Sequence, residues 1–246
     1  MLFLTHKGHI SSKNYDIGLD MGLAPQASRD EIEILYGRLP DMEYRSMIQS
    51  LNVKQMQFFT HVMHHVKTKD TPLRLFLTGG AGVGKSVVLR ALYQSLHRHF
   101  CSNEGENPED CRILVCAYTG LAAYNVKGST LHSALKIQPN KTLSKYTKLS
   151  QDALNTVRMK FRNLSVLLID EISLVGNNML KQVNLRLQEI TGLKEIDFGG
   201  IHVIVFGDLF QLKPVMDGWI FNDLNSDYGS LATNLWKKTL PYVRTL

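Results

Sequence analysis

The stretch LFLTGGAGVGKSVVLRAL, residues 75–92, constrains the fold more than any other part of the chain. It contains the spacing Gly79-x-x-x-x-Gly84-Lys85-Ser86, preceded by an apolar strand-like run and followed by a helix-like one. In that context the pattern reads as a phosphate-binding loop. Glycines allow positive φ and bring backbone N–H groups against phosphate oxygens. The helix N-terminus adds unpaired donors and roughly half a positive charge. Gly79, Gly80, Ala81, Gly82, Val83 and Gly84 are the expected cradle. Lys85 is expected to reach the β- and γ-phosphates of ATP, and the Ser86 hydroxyl to ligate Mg²⁺.

The rest of the chain agrees with an α/β fold. Apolar runs at 73–78, 112–117, 165–170 (SVLLID) and 202–206 (HVIVF) read as buried strands, and helical patterns lie between them. Helices are expected over 51–66, with Val53, Met56, Phe59 and Met63 on one stripe, over 84–100, near 120–126 and 130–136, up to about Asn163, and over 177–191. Strands that are apolar throughout and alternate with helices indicate a mostly parallel sheet covered on both faces. Such sheets bind ligands beyond the carboxyl ends of their strands. Two further strand ends carry polar side chains there. SVLLID ends in Asp170 and Glu171, suited to a Mg²⁺ ligand and a general base for an attacking water. HVIVF is followed by Gly207, Asp208 and, three residues on, Gln211.

Composition excludes some classes. No apolar run approaches the length of a bilayer span, so no membrane role is expected. The first residues lack a secretory pattern. Cys101, Cys111 and Cys116 fit neither a metal pair nor a disulfide framework, which implies reduced thiols and an intracellular setting. Net charge is +6, unevenly placed: residues 127–162 hold eight Lys/Arg against Asp152 alone. Such a run is a solvated face or a grip on a polyanion, and charge alone does not choose.

Five stretches, LNVKQ (51–55), GGAGVGKS (79–86), AYTGLAAYNVKGSTLHS (117–133), DEISLV (170–175) and FGGIHVIVFGDLFQLKPV (198–215), occur in an order that resembles the Pif-type (petite integration frequency) DNA helicases. These are relatives of RecD within superfamily one and include the helicase part of Helitron transposons. The resemblance implies a RecA-like P-loop NTPase fold and ATP-dependent 5′-to-3′ movement on single-stranded DNA. It also implies roles in repair, recombination or telomere maintenance, in the nucleus or mitochondrion of a eukaryote. By resemblance Gln55 reads the adenine edge, and Thr119, Gly120, Ala122, Ala123, Thr130 and His132 lie on the segment that contacts the strand. Each such threonine could equally be a helix cap. The resemblance also implies that Gln211 senses the γ-phosphate. Tyr118 and Lys213 stand where the family usually has proline, and Phe210 is expected in the core.

The resemblance divides the chain into residues 1–45, of unreadable role, and a motor lobe over 46–246 with a basic insertion at about 136–150. A second RecA-like lobe, which supplies an arginine to the γ-phosphate, is expected as a partner but absent from this sequence. The final LWKKTLPYVRTL resembles the link toward it. A complete motor of which this is one half, and a non-catalytic ATP- and DNA-binding module, are both open on these grounds.

Overall fold

Short apolar strands with side chains alternating between two covered faces define the centre of the molecule. The computed structural model describes residues 38–101, 111–138, 146–222, 234–240 and 243–246. Its elements are α1 (Asp41–Gln49), α2 (Val53–Thr68), β1 (Arg74–Thr78), α3 (Lys85–Phe100), β2 (Ile113–Ala117), α4 (Gly120–Asn125), β3 (Ser129–Thr130) and α5 (Leu131–Ala134). There follow α6 (Gln151–Lys160), β4 (Val166–Asp170), α7 (Asn177–Thr191), β5 (His202–Gly207), α8 (Leu235–Thr239) and β6 (Val243–Thr245). The sheet order is β3-β2-β4-β5-β1-β6, and every pairing is parallel.

The period-2 alternation splits the core in two. Phe76, Leu114, Cys116, Leu167, Ile169, Val203 and Val205 face one layer with Val183 and Leu187 of α7 and Val157 of α6. Leu75, Leu77, Val115, Val166, Leu168, Ile204 and Phe206 face the other, with Phe58 and Val62 of α2 and Leu92 and Leu96 of α3. Both faces are therefore dry, as the unbroken apolar runs require.

Four expectations need correction. The buried positions of α2 are Gln55, Phe58, Val62 and Met63, whereas Val53 is 75% exposed. Val53 is the first residue of the helix, beyond the strands that the rest of the stripe covers. Phe210 is 98% exposed rather than in the core, because it sits on a turn after β5 has left the sheet. The C-terminal stretch read as a link contains α8 and β6, whose Val243–Thr245 pairs with Phe76–Thr78 as an edge strand. Three residues are too few to show a strand signal. Finally, α1 runs across the expected boundary at 45/46. The acidic patch before Pro40 and part of the basic insertion (139–145) lie outside the described residues.

No residue of α1 is fully buried; half-buried Met47 and Ile48 pack against the core, and polar ties fasten this end of the chain to α3. The Leu39 N–H donates to Gln94 Oε1 at 3.0 Å, and Tyr44 Oη lies 2.9 Å from Ser95 Oγ. Arg98 donates to Leu39 O and Asp41 Oδ1 and stacks over the Tyr44 ring.

A half-buried histidine joins β1 to β5. The Leu73 N–H donates to His202 Nδ1 at 2.9 Å, so the ring must be neutral there. Its pKa is pushed down to about 4, first by burial and then by His65 and Arg74. Between the ordinary 6.5 and that value the unfolded chain binds more protons than the folded one, so stability is full above 6.5 and falls as pH drops toward 4. Allowing for its partial solvent contact, we expect a loss of roughly 2 kcal/mol across this window. Urea titrations at pH 7 and 4.5 should show His202→Gln, which can still accept from Leu73, losing less stability than the parent. Equal losses would reject the assignment.

Candidate active site

Register brings three strand ends side by side. Thr78 of β1 lies opposite Gly207 of β5, and Val205 opposite Ile169 of β4. The loop after β1, the acids ending β4 and the turn after β5 therefore share one edge of the sheet. Ala117 of β2 pairs with Asp170, so the Thr119 segment leaves from the next strand at the same level.

The loop after β1 has the conformation its glycines permit. Gly82 and Gly84 have φ of 75° and 88°, where a side chain is strained. A Cβ on Gly80 or Gly82 would meet nothing within 4 Å, so the loop opens onto free space. A Cβ on Gly84 would lie 2.4 Å from Gln55 Nε2. Lys85 Nζ donates to the carbonyls of Gly79 (2.7 Å) and Gly80 (2.8 Å), folding back along the loop. Ser86 is exposed at the start of α3.

Asp170 is 6% exposed. Burial pushes its carboxyl up to about 6; neighbouring Glu171 adds charge repulsion, while a backbone N–H of Glu171 and the Lys85 ammonium pull the other way. A dry carboxylate with so little local compensation suits a cation ligand. Glu171 takes left-handed φ and ψ of 50°. That conformation costs a non-glycine residue roughly 1–2 kcal/mol and ends the extended backbone just after Asp170. Gly207 makes this possible: a Cβ there would lie 2.9 Å from Ile172 N.

Gln55 is buried, not an exposed helix residue. Its Oε1 accepts from Asn52 N–H in a capping box, and its Nε2 donates to Val83 O at 2.9 Å, tying α2 to the phosphate loop. An open cleft of about 770 Å³ borders it, between Ser50–Gln55 and Gly82–Gly84. Gln211 lies on an exposed turn, where its Nε2 donates to Asp208 Oδ2 at 3.4 Å and its N–H to Asp208 O at 3.1 Å. Asp208 also accepts from Phe210 N–H, so the carboxylate orders the turn that carries Gln211.

In the segment after β2, Thr119 and Thr130 cap α4 and α5, accepting from Ala122 N–H and Ser133 N–H. Ala122 and Ala123 are buried, Gly120 is exposed, and His132 stands edge-on to Tyr118 at 5.4 Å. Burial lowers the His132 pKa, which favours a neutral ring. Of the basic run, Arg158 is half-buried, donating to Glu189 O and Ile190 O.

Two anchors were not foreseen. Asp217 accepts from the N–H groups of Asn178 and Met179, fastening the chain beyond Gln211 to the start of α7. Nothing distinguishes this aspartate in sequence. Arg186 pairs with Glu189 at 2.5 Å and donates to Lys136 O and Thr147 O, while Tyr146 Oη donates to Glu189. The i,i+3 charge spacing was legible, but not its use in gripping both ends of the 139–145 stretch.

A parallel sheet with a glycine-rich loop after β1 and an acid pair ending the strand two places away defines a RecA-like P-loop NTPase lobe. Comparison narrows this further. The chain belongs to the PIF1-like helicase family, whose sequence model matches residues 50–240. It is 38% identical over 165 residues to the ATP-dependent DNA helicase PIF1 of Emericella nidulans, covering 64% of this chain and 20% of that protein. It is 31% identical over 207 residues to the helicase of the same name from Candida albicans, covering 80% and 21%. Superposition on the crystal structure of the Candida albicans Pif1 helicase gives a TM-score of 0.55 at 29% identity, over 80% of this chain and 39% of that one. The chain thus spans about a fifth of the length of these curated relatives. Among the described residues no helix is long and apolar enough to cross a membrane.

Proposed function

We propose that this chain is the nucleotide-binding motor lobe of an ATP-dependent DNA helicase acting on single-stranded DNA. The observation that carries the reading is the shared sheet edge, which gathers Lys85, Asp170, Glu171, Asp208 and Gln211 and places the Thr119 segment on the adjoining strand. The residues fit ATP with Mg²⁺: the loop is open, Gly82 and Gly84 are left-handed, and a hydroxyl and a buried carboxylate offer hard oxygen ligands. Ser86 and Asp170 would hold the ion, which when bound would neutralise charge on the phosphates.

Each remaining side chain has a task in this scheme. Lys85 exchanges its loop carbonyls for phosphate oxygens. Glu171, on its left-handed backbone just past Asp170, accepts a proton from the attacking water. Gln211 reports the γ-phosphate to the chain that Asp217 fastens on α7. Gln55 has one amide proton left for the adenine edge after its bond to Val83. Thr119, Gly120, Thr130 and His132 contact the strand, the threonine hydroxyl protons remaining free to donate after their oxygens cap helices. Movement 5′-to-3′, a second RecA-like lobe as partner, work in repair, recombination or telomere maintenance, and a nuclear or mitochondrial location are proposed on the family likeness alone.

The test is binding of a single-stranded oligonucleotide across a salt series. The logarithm of affinity should fall against that of salt with a slope near −0.7 per phosphate neutralised. Replacing Lys141, Lys145 and Lys148 together by alanine should make the slope shallower by roughly 2. An unchanged slope would return the basic run to a solvated surface, and no binding by the parent would remove DNA from the reading.

A further inference from the structure

A second cleft, of about 290 Å³, lies between α1, α3 and the turn that ends α4. Its walls include Met47, Leu89 and Tyr93, with Arg90 and Lys127 among its polar residues and Ser86 at one end. Of the phosphate loop and its lysine, only Ser86 reaches it. Its size is at the lower end for small-molecule pockets and suits a single nucleotide unit.

The backbone at Lys127 gives the cleft its meaning. Helix α4 closes with both bonds of a Schellman end: Lys127 N–H to Tyr124 O at 2.9 Å and Gly128 N–H to Ala123 O at 2.7 Å. The left-handed residue of that motif is ordinarily glycine, yet here it is Lys127, with φ of 56°. The glycine stands one place later, where a Cβ would lie 2.5 Å from Val115 O. A lysine thus occupies a strained position that glycine would fill without strain, and it lines the same cleft as Arg90. Among the described residues neither cation forms an ion pair or side-chain hydrogen bond. Glu43 lines the cleft too, leaving two positive groups against one negative.

We infer that this cleft is a second phosphate-binding site, taking one nucleotide with its phosphate between Lys127 and Arg90 and its base against Met47, Leu89 and Tyr93. The nucleotide can belong to a single strand, since the turn ends the segment that begins at Thr119, or it can be free. The strand source rests on the DNA-binding reading above; the phosphate chemistry does not.

The experiment uses the full chain carrying Lys85→Ala, so that the phosphate loop does not contribute. An oligothymidylate and dAMP are titrated against this chain and against the same chain with Lys127→Gly or Arg90→Gln. Either added change should weaken binding about tenfold, in keeping with one lost charge-assisted bond. Lys127→Gly should at the same time raise the thermal midpoint by roughly 1–3 °C, since it relieves the left-handed strain. Higher stability with weaker binding separates a binding lysine from a structural one. Loss on the oligonucleotide alone assigns the site to the strand; loss on dAMP as well assigns it to free nucleotide. Unchanged affinity for both probes in both variants overturns the site and leaves the DNA-binding reading intact. If neither probe binds, the site is also overturned, and binding of the oligonucleotide by the unsubstituted parent then decides the reading separately.

Discussion

Lys85→Ala should lower the affinity of this chain for Mg·ATP by at least 10²-fold. In the folded chain the Lys85 ammonium is held by two loop carbonyls, Gly79 O and Gly80 O, at the start of α3. A triphosphate entering the open loop offers charged oxygens in their place, and hydrogen bonds between charged groups contribute about 1.5–3 kcal/mol each. Losing two such bonds corresponds to roughly 10²-fold or more in Kd. The fold should survive, because the bared Gly80 carbonyl contact is exposed and can turn to water. Glu171→Gln gives the opposite pattern. It keeps the shape and left-handed backbone of residue 171 while removing the carboxylate, so ATP should bind as before and the chain's residual hydrolysis should be lost. Calorimetric titration of both variants, beside phosphate release, separates these roles. Parent-like ATP affinity in the alanine variant would remove the phosphate loop from the site.

How much of this was legible in sequence follows from where the physics is local. The strands, the glycine-rich loop and the acid pair at 170–171 are set by runs of neighbouring residues, and each was readable. Burial on both faces leaves period and position little choice. Features that depend on distant partners were not readable. Phe210 looks apolar enough for a core, yet Gly207 ends the strand and the turn ordered by Asp208 lifts the ring into solvent. Residues 243–245 form a strand only because β1 presents an open edge to them. Gln55 was recognised through family likeness, but its bond to Val83, which fixes helix to loop, exists only in three dimensions. The left-handed lysine at 127 is likewise invisible until the helix end before it is seen.

The isolated chain should bind ATP and, weakly, single-stranded DNA, yet hydrolyse ATP barely and unwind nothing. Charge on the γ-phosphate during transfer must be met by cations beyond Lys85 and Mg²⁺, and an arginine supplied across a cleft contributes roughly 10³–10⁵ in rate in P-loop enzymes. In the reading proposed above that arginine lies in a second lobe, and the present chain spans only about a fifth of the curated relatives it matches. Movement also requires two grips on the strand whose separation changes with nucleotide state. In the reading proposed above, this lobe contributes one such segment, after β2. Supplying a second lobe from a related helicase, fused or in trans, should therefore raise DNA-stimulated phosphate release by orders of magnitude and restore opening of a forked duplex. A persistent lack of stimulation, with ATP and DNA binding intact, would favour a non-catalytic binding module. Robust unwinding by the purified monomer would refute the half-motor reading from the other side. It would mean that an arginine already in the chain completes the site, and Arg244, exposed on β6 next to the strand that carries the phosphate loop, would be the first to replace.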